Sequence, residues 1–286
     1  MKRALVLGGG GLIGVAWESG IAVGLSEQGV DPRSVDAIVG TSAGAIVGAQ
    51  LAAGRLPSGP AAAATSLGPD ERPLIDPGRL DLAVLGKVFT LWGAMKETTE
   101  QQAAEIGKLA ASVQREAESD FVAQLASSVG VAEWPALRLL IAAVSTDTGR
   151  RRIFEREGGA ELPRAVAASS AVPGMFPSVS IDGALYMDGQ VHSSTNADVL
   201  VPHRPAQVLI AMPTNGVTAR GIGRHAERML ELELRALRAA GCAVSVRTPT
   251  AADGPRLGGN LMDPTRVPDA YAVGLETGRA WAAELR

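Results

Sequence analysis

Residues 37–49, AIVGTSAGAIVGA, constrain this chain more than any other stretch. The apolar run 37–39 reads as a buried strand, Gly40-Thr41-Ser42-Ala43-Gly44 follows at once, and the small residues after it read as a helix. Gly-x-Ser-x-Gly between a strand and a helix is the setting of a nucleophile elbow. The serine takes a sharp turn with strained backbone angles. Side chains two residues before and after it would collide with the neighbouring strand and helix, so both are glycine. Ser42 is then presented at a helix N-terminus, where the dipole favours developing negative charge. The same five residues occur in plain glycine-rich turns, a reading that the flanking apolar runs weigh against.

A second glycine cluster sits near the start. The strand-like run 4–7 leads into Gly8-Gly9-Gly10-Gly11-Leu12-Ile13-Gly14, and 15–29 has helical periodicity through Trp17, Ile21 and Leu25. Strand, glycine loop, helix is an arrangement that cradles an oxyanion or a phosphate, because glycine lets backbone N–H groups turn toward a ligand. Further along, 137–144 reads as a strand, with 151–154 as its hairpin partner, and 162–169 as a helix. Residues 170–177 form a loop with two prolines; 179–181 and 184–187 flank the turn Asp182-Gly183. Strands over 207–212 and 242–246 alternate with helices over 225–240 and 270–285. The 225–240 helix is amphipathic through Leu230, Leu234 and Leu237, and its mixed-sign charges read as a solvated face. Alternating strands and helices predict one α/β domain over 1–286, a three-layer α/β/α sandwich around a mostly parallel sheet. Ligands in such folds bind at the carboxyl ends of the strands, where the glycine loop and Ser42 would both lie.

Residues 55–78 carry proline and glycine with little periodicity and read as a loop or lid entrance; 79–129 read as helices with an apolar face through Leu80, Val84, Leu85, Val88 and Trp92. The segment 55–130 is expected to be a helical, lid-like insertion, with helices that merely close one sheet face as the alternative reading.

Composition enters mainly by exclusion. A net charge of −3 offers no basic surface for nucleic acid. The single cysteine, Cys242, rules out an internal disulfide and a multi-cysteine metal site, and reads as a buried apolar residue. No calcium-loop spacing appears, and neither a metal nor a cofactor is called for. The apolar run after Met1-Lys2-Arg3 is too short for a signal peptide and is broken by glycines, and no uninterrupted apolar stretch of about 20 residues predicts a membrane span. The expectation is a cytoplasmic protein whose membrane contact, where it occurs, is peripheral.

Acyl transfer needs a nucleophile, a base and an oxyanion cradle. Ser42 supplies the first. The cradle is either the elbow's own N–H at Ala43 or the run Gly9 to Gly11, which fits better because successive glycines present successive donors at no steric cost. Each donor contributes about 3 kcal/mol to the transition state. A Ser-His-Asp triad would draw on His192, His203 or His225, each of which reads more readily as a surface or structural residue. A dyad would use a carboxylate directly. Asp188, at a strand end and followed by Gly189, is the candidate, although on local grounds it reads equally as a turn former.

Four ordered blocks resemble the patatin-like phospholipases, serine lipid acyl hydrolases with a Ser-Asp dyad. They are Gly9-Gly10-Gly11-Leu12-Ile13-Gly14, Gly40-Thr41-Ser42-Ala43-Gly44, the small-residue and proline segment 168–177, and Tyr186-Met187-Asp188-Gly189-Gln190. The resemblance implies Ser42 as nucleophile, Asp188 as general base, Gly9, Gly10 and Gly11 at the oxyanion, and a lipid or other acyl ester as substrate. Two positions depart from the family pattern. Ile13 stands where Arg or Lys is usual, and Gln190 where Gly or Ala completes the Asp-Gly turn. The lost cation shifts the expectation from phospholipids toward neutral esters or lysophospholipids. Two other readings stay open: a dinucleotide-binding protein, since Gly9-x-Gly11-x-x-Gly14 fits that fingerprint although Asp31 and Asp36 match its ribose-binding acid poorly, and a non-catalytic relative that binds a lipid or a protein.

Overall fold

The structure is a computed structural model and describes residues 1–57, 59–60, 81–111 and 118–285. Its centre is an eight-stranded sheet. The parallel part consists of β1 (Arg3–Leu7), β2 (Ala37–Gly40), β3 (Arg138–Ser145), β7 (Gln207–Ala211) and β8 (Ala243–Arg247). Antiparallel additions on β3 are β4 (Arg151–Phe154) and β6 (Ala184–Asp188), the latter paired with β5 (Val179–Ile181). The order is β5-β6-β3-β2-β1-β7-β8, with β4 paired to β3 off that path.

Strand residues of alternate parity serve two different cores, as the pleat requires. Leu5, Leu7, Ile38, Leu139, Ile141 and Leu209 meet one set of helices: α1 (Gly11–Glu27), α2 (Ala43–Ala52), α5 (Glu118–Val129), α6 (Leu162–Ser170) and the closing helix α9 (Val267–Glu284). Ala4, Val6, Val39, Leu140, Val208 and Ile210 meet α7 (Arg220–Ala239) and the 3-10 segment Ala197–His203 on the other face. The chain is thus an α/β/α sandwich, and burial on both faces explains why the strands are near-continuous apolar runs. A short α8 (Gly254–Leu257) precedes α9.

Helices α3 (Leu82–Ala94) and α4 (Glu100–Ala111) build a third apolar cluster. Val88, Trp92, Met95, Ala103 and Ile106 pack on Val144, Met187 and Val191, beside the strand end that carries Asp188. Asp81 caps α3 by accepting from the N–H groups of Ala83 and Val84. The helices expected over 79–129 are present among the described residues; most of the loop expected over 55–78 lies outside them.

Three helices begin earlier than their periodicity predicts. The first starts at Gly11 and α7 at Arg220, because Gly11, Gly14, Gly221 and Gly223 carry no side chain for a hydropathy pattern to read. The last starts at Val267, where Pro268 in the first turn is a start signal in its own right. The apolar face of α7 is already occupied, with Leu230 and Leu237 buried against the sheet, so it is not presented to a membrane. Among the described residues no helix is long and apolar enough to cross one.

Candidate active site

Ser42 occupies the turn between β2 and α2 with φ 53° and ψ −115°, a conformation that costs a residue with a Cβ on the order of 1–3 kcal/mol. The flanking glycines explain how the turn closes. A Cβ on Gly40 would meet the Gly44 carbonyl at 2.6 Å and Ala45 Cα at 2.7 Å, and one on Gly44 would meet the Leu7 carbonyl oxygen of β1 at 2.1 Å. Helix on one side and strand on the other exclude side chains, as the sequence motif requires. The turn is also held from outside. The Ser42 N–H donates to Ser169 Oγ at 2.9 Å, and the Ser170 hydroxyl points to the Ser42 carbonyl at 3.5 Å.

Strand register brings Asp188 to the same level. Gly40 pairs with Ile141 of β3, so Ser42 stands two residues further on, and Asp188 pairs with Ala143, also two residues beyond Ile141. The Asp188 N–H donates to the Ala171 carbonyl at 2.9 Å. Residues 169–171 therefore brace both Ser42 and Asp188 through one short piece of chain. Asp188 is fully buried, and Oδ1 accepts from the Gln190 N–H at 2.8 Å. Among the described residues Oδ2 has no hydrogen-bond partner, and the nearby Ser42 hydroxyl acts on the carboxyl as a donor. Burial raises the Asp188 pKa to about 7, against the lowering effect of the Gln190 N–H and the Ser42 hydroxyl. A carboxyl titrating there gains and loses a proton near neutrality.

The glycine run divides by role. The Gly9 N–H is engaged, donating to the Ser194 carbonyl at 2.9 Å, and its own carbonyl accepts from the Thr214 hydroxyl. That removes Gly9 from the free donors expected of it and makes it the anchor of the loop. The N–H groups of Gly10, Gly11 and Ala43 have no acceptor among the described residues. Gly11 takes φ +58°, and a Cβ there would also meet Met262 Sδ at 2.7 Å. Free donors thus come from both cradles read in the sequence.

Gln190 is a brace. Its Nε2 donates to Thr214 Oγ1 at 3.0 Å, and a Cβ on Gly9 would strike its Oε1 at 2.3 Å. The side chain links the Asp188 turn to the glycine loop, so its departure from the family pattern leaves the site assembled. Ile13 is buried, with its N–H donating to the Leu261 carbonyl, and brings no cation to the loop. Asp36, the acid nearest a ribose-binding position, precedes β2 at the opposite rim and accepts from the N–H groups of Lys2 and Arg3; Asp31 is paired with Arg33.

Over Ser42 opens a narrow apolar cleft that is partly open to solvent. Leu12, Val15, Ile46, Phe121, Leu125 and Phe176 form its walls, and Phe121 stacks on Phe176 at 4.9 Å between ring centres. None of the histidines bonds to Ser42 or Asp188. His225 is buried under the Met95 carbonyl and Thr98, His192 lies beside Asp198 and Arg151 with burial lowering its pKa, and His203 is exposed. Among the described residues no cluster of His, Cys, Asp and Glu could hold a metal ion.

A search of curated protein sequences returned no match. Among solved structures, VipD from Legionella pneumophila superposes with a TM-score of 0.48 at 12% identity, covering 99% of this chain and 67% of that one. The type III effector ExoU gives 0.42 at 17% identity, covering 99% of this chain and 53% of its own, so this chain spans about half of ExoU's length. Residues 5–201 match the model of the patatin-like phospholipase family, and with more than half of its length inside that match, including the glycine loop, elbow and Asp188 turn, the chain belongs to this family.

Proposed function

We propose that the protein is a serine acyl hydrolase that cleaves carboxylic esters of lipids, with Ser42 as nucleophile and Asp188 as base. The observation that carries the reading is a strained serine with a buried, near-neutral carboxyl beside its hydroxyl, under an apolar cleft and next to unengaged N–H donors. Ionised Asp188 takes the Ser42 proton as Oγ attacks the ester carbonyl carbon. The resulting oxyanion is met by the N–H groups of Gly10, Gly11 and Ala43. Collapse breaks the bond to the alkoxide, which receives the proton from Asp188, and leaves the acyl group on Ser42. Asp188 then deprotonates a water that attacks the acyl carbon, and the second collapse returns the proton to Ser42. Because the base form of Asp188 exists only above a pKa of about 7, turnover rises as pH passes upward through that value.

The apolar cleft suits an acyl chain, and buried Ile13 in place of a cation weakens phosphate recognition, which makes a neutral ester or a lysophospholipid the more credible substrate. We assign the segment 55–130 the role of a lid: α5 contributes Phe121 and Leu125 to the cleft, and α3 and α4 cover the flank next to Asp188. Action from the cytoplasm on the periphery of a membrane fits this reading. The test is hydrolysis of a nitrophenyl butyrate by wild type and Ser42→Ala, with labelling by a fluorophosphonate. Wild type is expected to turn over and to be labelled, and Ser42→Ala to do neither while melting within a few degrees of wild type. Turnover undiminished in Ser42→Ala would overturn the assignment.

A further inference from the structure

Asn196 lies where the two halves of this site meet. It is fully buried and holds a left-handed backbone at φ 49°. Its Nδ2 donates to Ser193 O at 2.7 Å, Thr41 Oγ1 at 3.1 Å and Gly189 O at 3.3 Å. Two amide protons serve three acceptors, so the longest contact, to Gly189, shares a proton. Thr41 immediately precedes Ser42, and Gly189 immediately follows Asp188. One amide therefore touches the backbone or side chain next to each reacting group, from the face opposite the brace made by residues 169–171.

The orientation of that amide is itself enforced. Asn196 Oδ1 accepts from Arg151 Nη1 at 3.1 Å, and Arg151 grips Asp198 with both terminal nitrogens, at 2.6 and 2.7 Å. A guanidinium cannot accept a hydrogen bond, so the oxygen must face Arg151 and the NH2 must face Thr41 and Gly189. The left-handed turn is held as well: the N–H groups of Thr195 and Asn196 both reach Ser193 Oγ, and the Thr195 hydroxyl donates to the buried carboxyl of Glu233 on α7. So many contacts on one asparagine exceed what a turn in solvent needs, and they end on the two segments whose separation matters for proton transfer.

We propose that Asn196 is a positioning residue that sets the spacing between the Ser42 elbow and the Asp188 turn, and so the reach of the carboxylate to the serine hydroxyl. The inference rests on the hydrolase reading above. Misplacement of about 1 Å between reacting groups can cost about 100-fold in rate, and it acts on kcat while leaving the acyl cleft unchanged. Asn196→Gly removes the amide without straining the left-handed backbone. Thr41→Val removes one acceptor at nearly constant shape, and Thr41→Ser keeps it.

The experiment measures kcat and KM on nitrophenyl butyrate for these three variants, for Ser42→Ala and for wild type, with thermal melts alongside. The expected result is a fall in kcat of about 10- to 100-fold for Asn196→Gly and about 3- to 10-fold for Thr41→Val, with KM within about twofold and Thr41→Ser close to wild type. If Asn196→Gly does not fold, the Thr41 pair decides. Folded variants with kcat within twofold of wild type, or Thr41→Ser as impaired as Thr41→Val, would overturn the positioning role while Ser42-dependent turnover kept the hydrolase reading. Turnover independent of Ser42 would overturn both.

Discussion

The two sides of the Ser42–Asp188 pair are buried to a similar depth and built from opposite materials. On the Ser42 side lies an apolar wall of leucine, isoleucine, valine and phenylalanine, with almost no polar atom beyond the backbone donors. On the Asp188 side lies a polar lattice of buried Thr41, Asn196, Ser193, Thr195 and Glu233, continued by half-buried Arg151 and Asp198. The contrast teaches a division of labour. An apolar wall accepts a range of chains because dispersion contacts are non-directional, whereas hydrogen bonds fix angles and separations. The first side suits binding and the second suits aiming.

Asp188→Asn offers the largest effect that could break this contrast. Turnover is expected to fall by about 1,000-fold or more, on the scale seen when one member of a catalytic unit is removed. Stability should move the other way. The folded carboxyl holds its proton up to a pKa of about 7, while an unfolded aspartate releases it near 3.9. Between those values the native state binds the extra proton, so wild-type stability falls as pH rises through that window, and denaturant melts across pH should show the asparagine variant free of that loss. An asparagine variant with wild-type turnover would dissolve the polar side's role.

A middle-sized effect is expected from the apolar wall. Phe121→Ala leaves a cavity beside Phe176 and should destabilise by about 3–5 kcal/mol. Its kcat on a butyrate ester should stay within about tenfold of wild type, and the preferred chain should lengthen on a panel of nitrophenyl esters, because a large-to-small change removes a wall without moving the reacting groups. A collapse of kcat to the level of Asp188→Asn would show that the walls also aim.

The smallest effect belongs to Glu233→Gln. Glu233 is fully buried, and burial, reinforced by the nearby Asp198 charge, lifts its pKa to about 7. Glutamine keeps an acceptor for Thr195 and cannot ionise. Activity should stay within about threefold of wild type, and the fall in stability between about pH 4.3 and 7 should be shallower, by the same proton count as for Asp188. An unchanged slope would mean that the Glu233 carboxyl titrates alike in both states.

Much of the site was legible because its strongest constraints are local. Gly40 and Gly44 are demanded by backbone atoms within a few residues or on the adjacent strand, and a pattern of that kind is written in consecutive letters. The strands were legible because burial on both faces makes them uniformly apolar. The role of Gln190 was not: a position marked as a departure from its family turned out to bridge the Asp188 turn to Thr214 and Gly9, partners 24 residues or more away in the chain. Likewise the bracing roles of Ser169, Ser170 and Asn196 could not be read from the sequence, because their partners Ser42 and Thr41 lie 127 or more positions distant.

The order of letters alone determined that a serine would stand on a tight strand-to-helix turn, that a glycine loop would precede it and that Asp188 would end a later strand, since each follows from steric rules acting over a few residues. Only the tertiary structure decided which donors are free. Gly9 and Gly10 are indistinguishable as letters, but one N–H faces the Ser194 carbonyl and the other faces no acceptor among the described residues, and that difference arises from chain 185 residues away folding back against the loop.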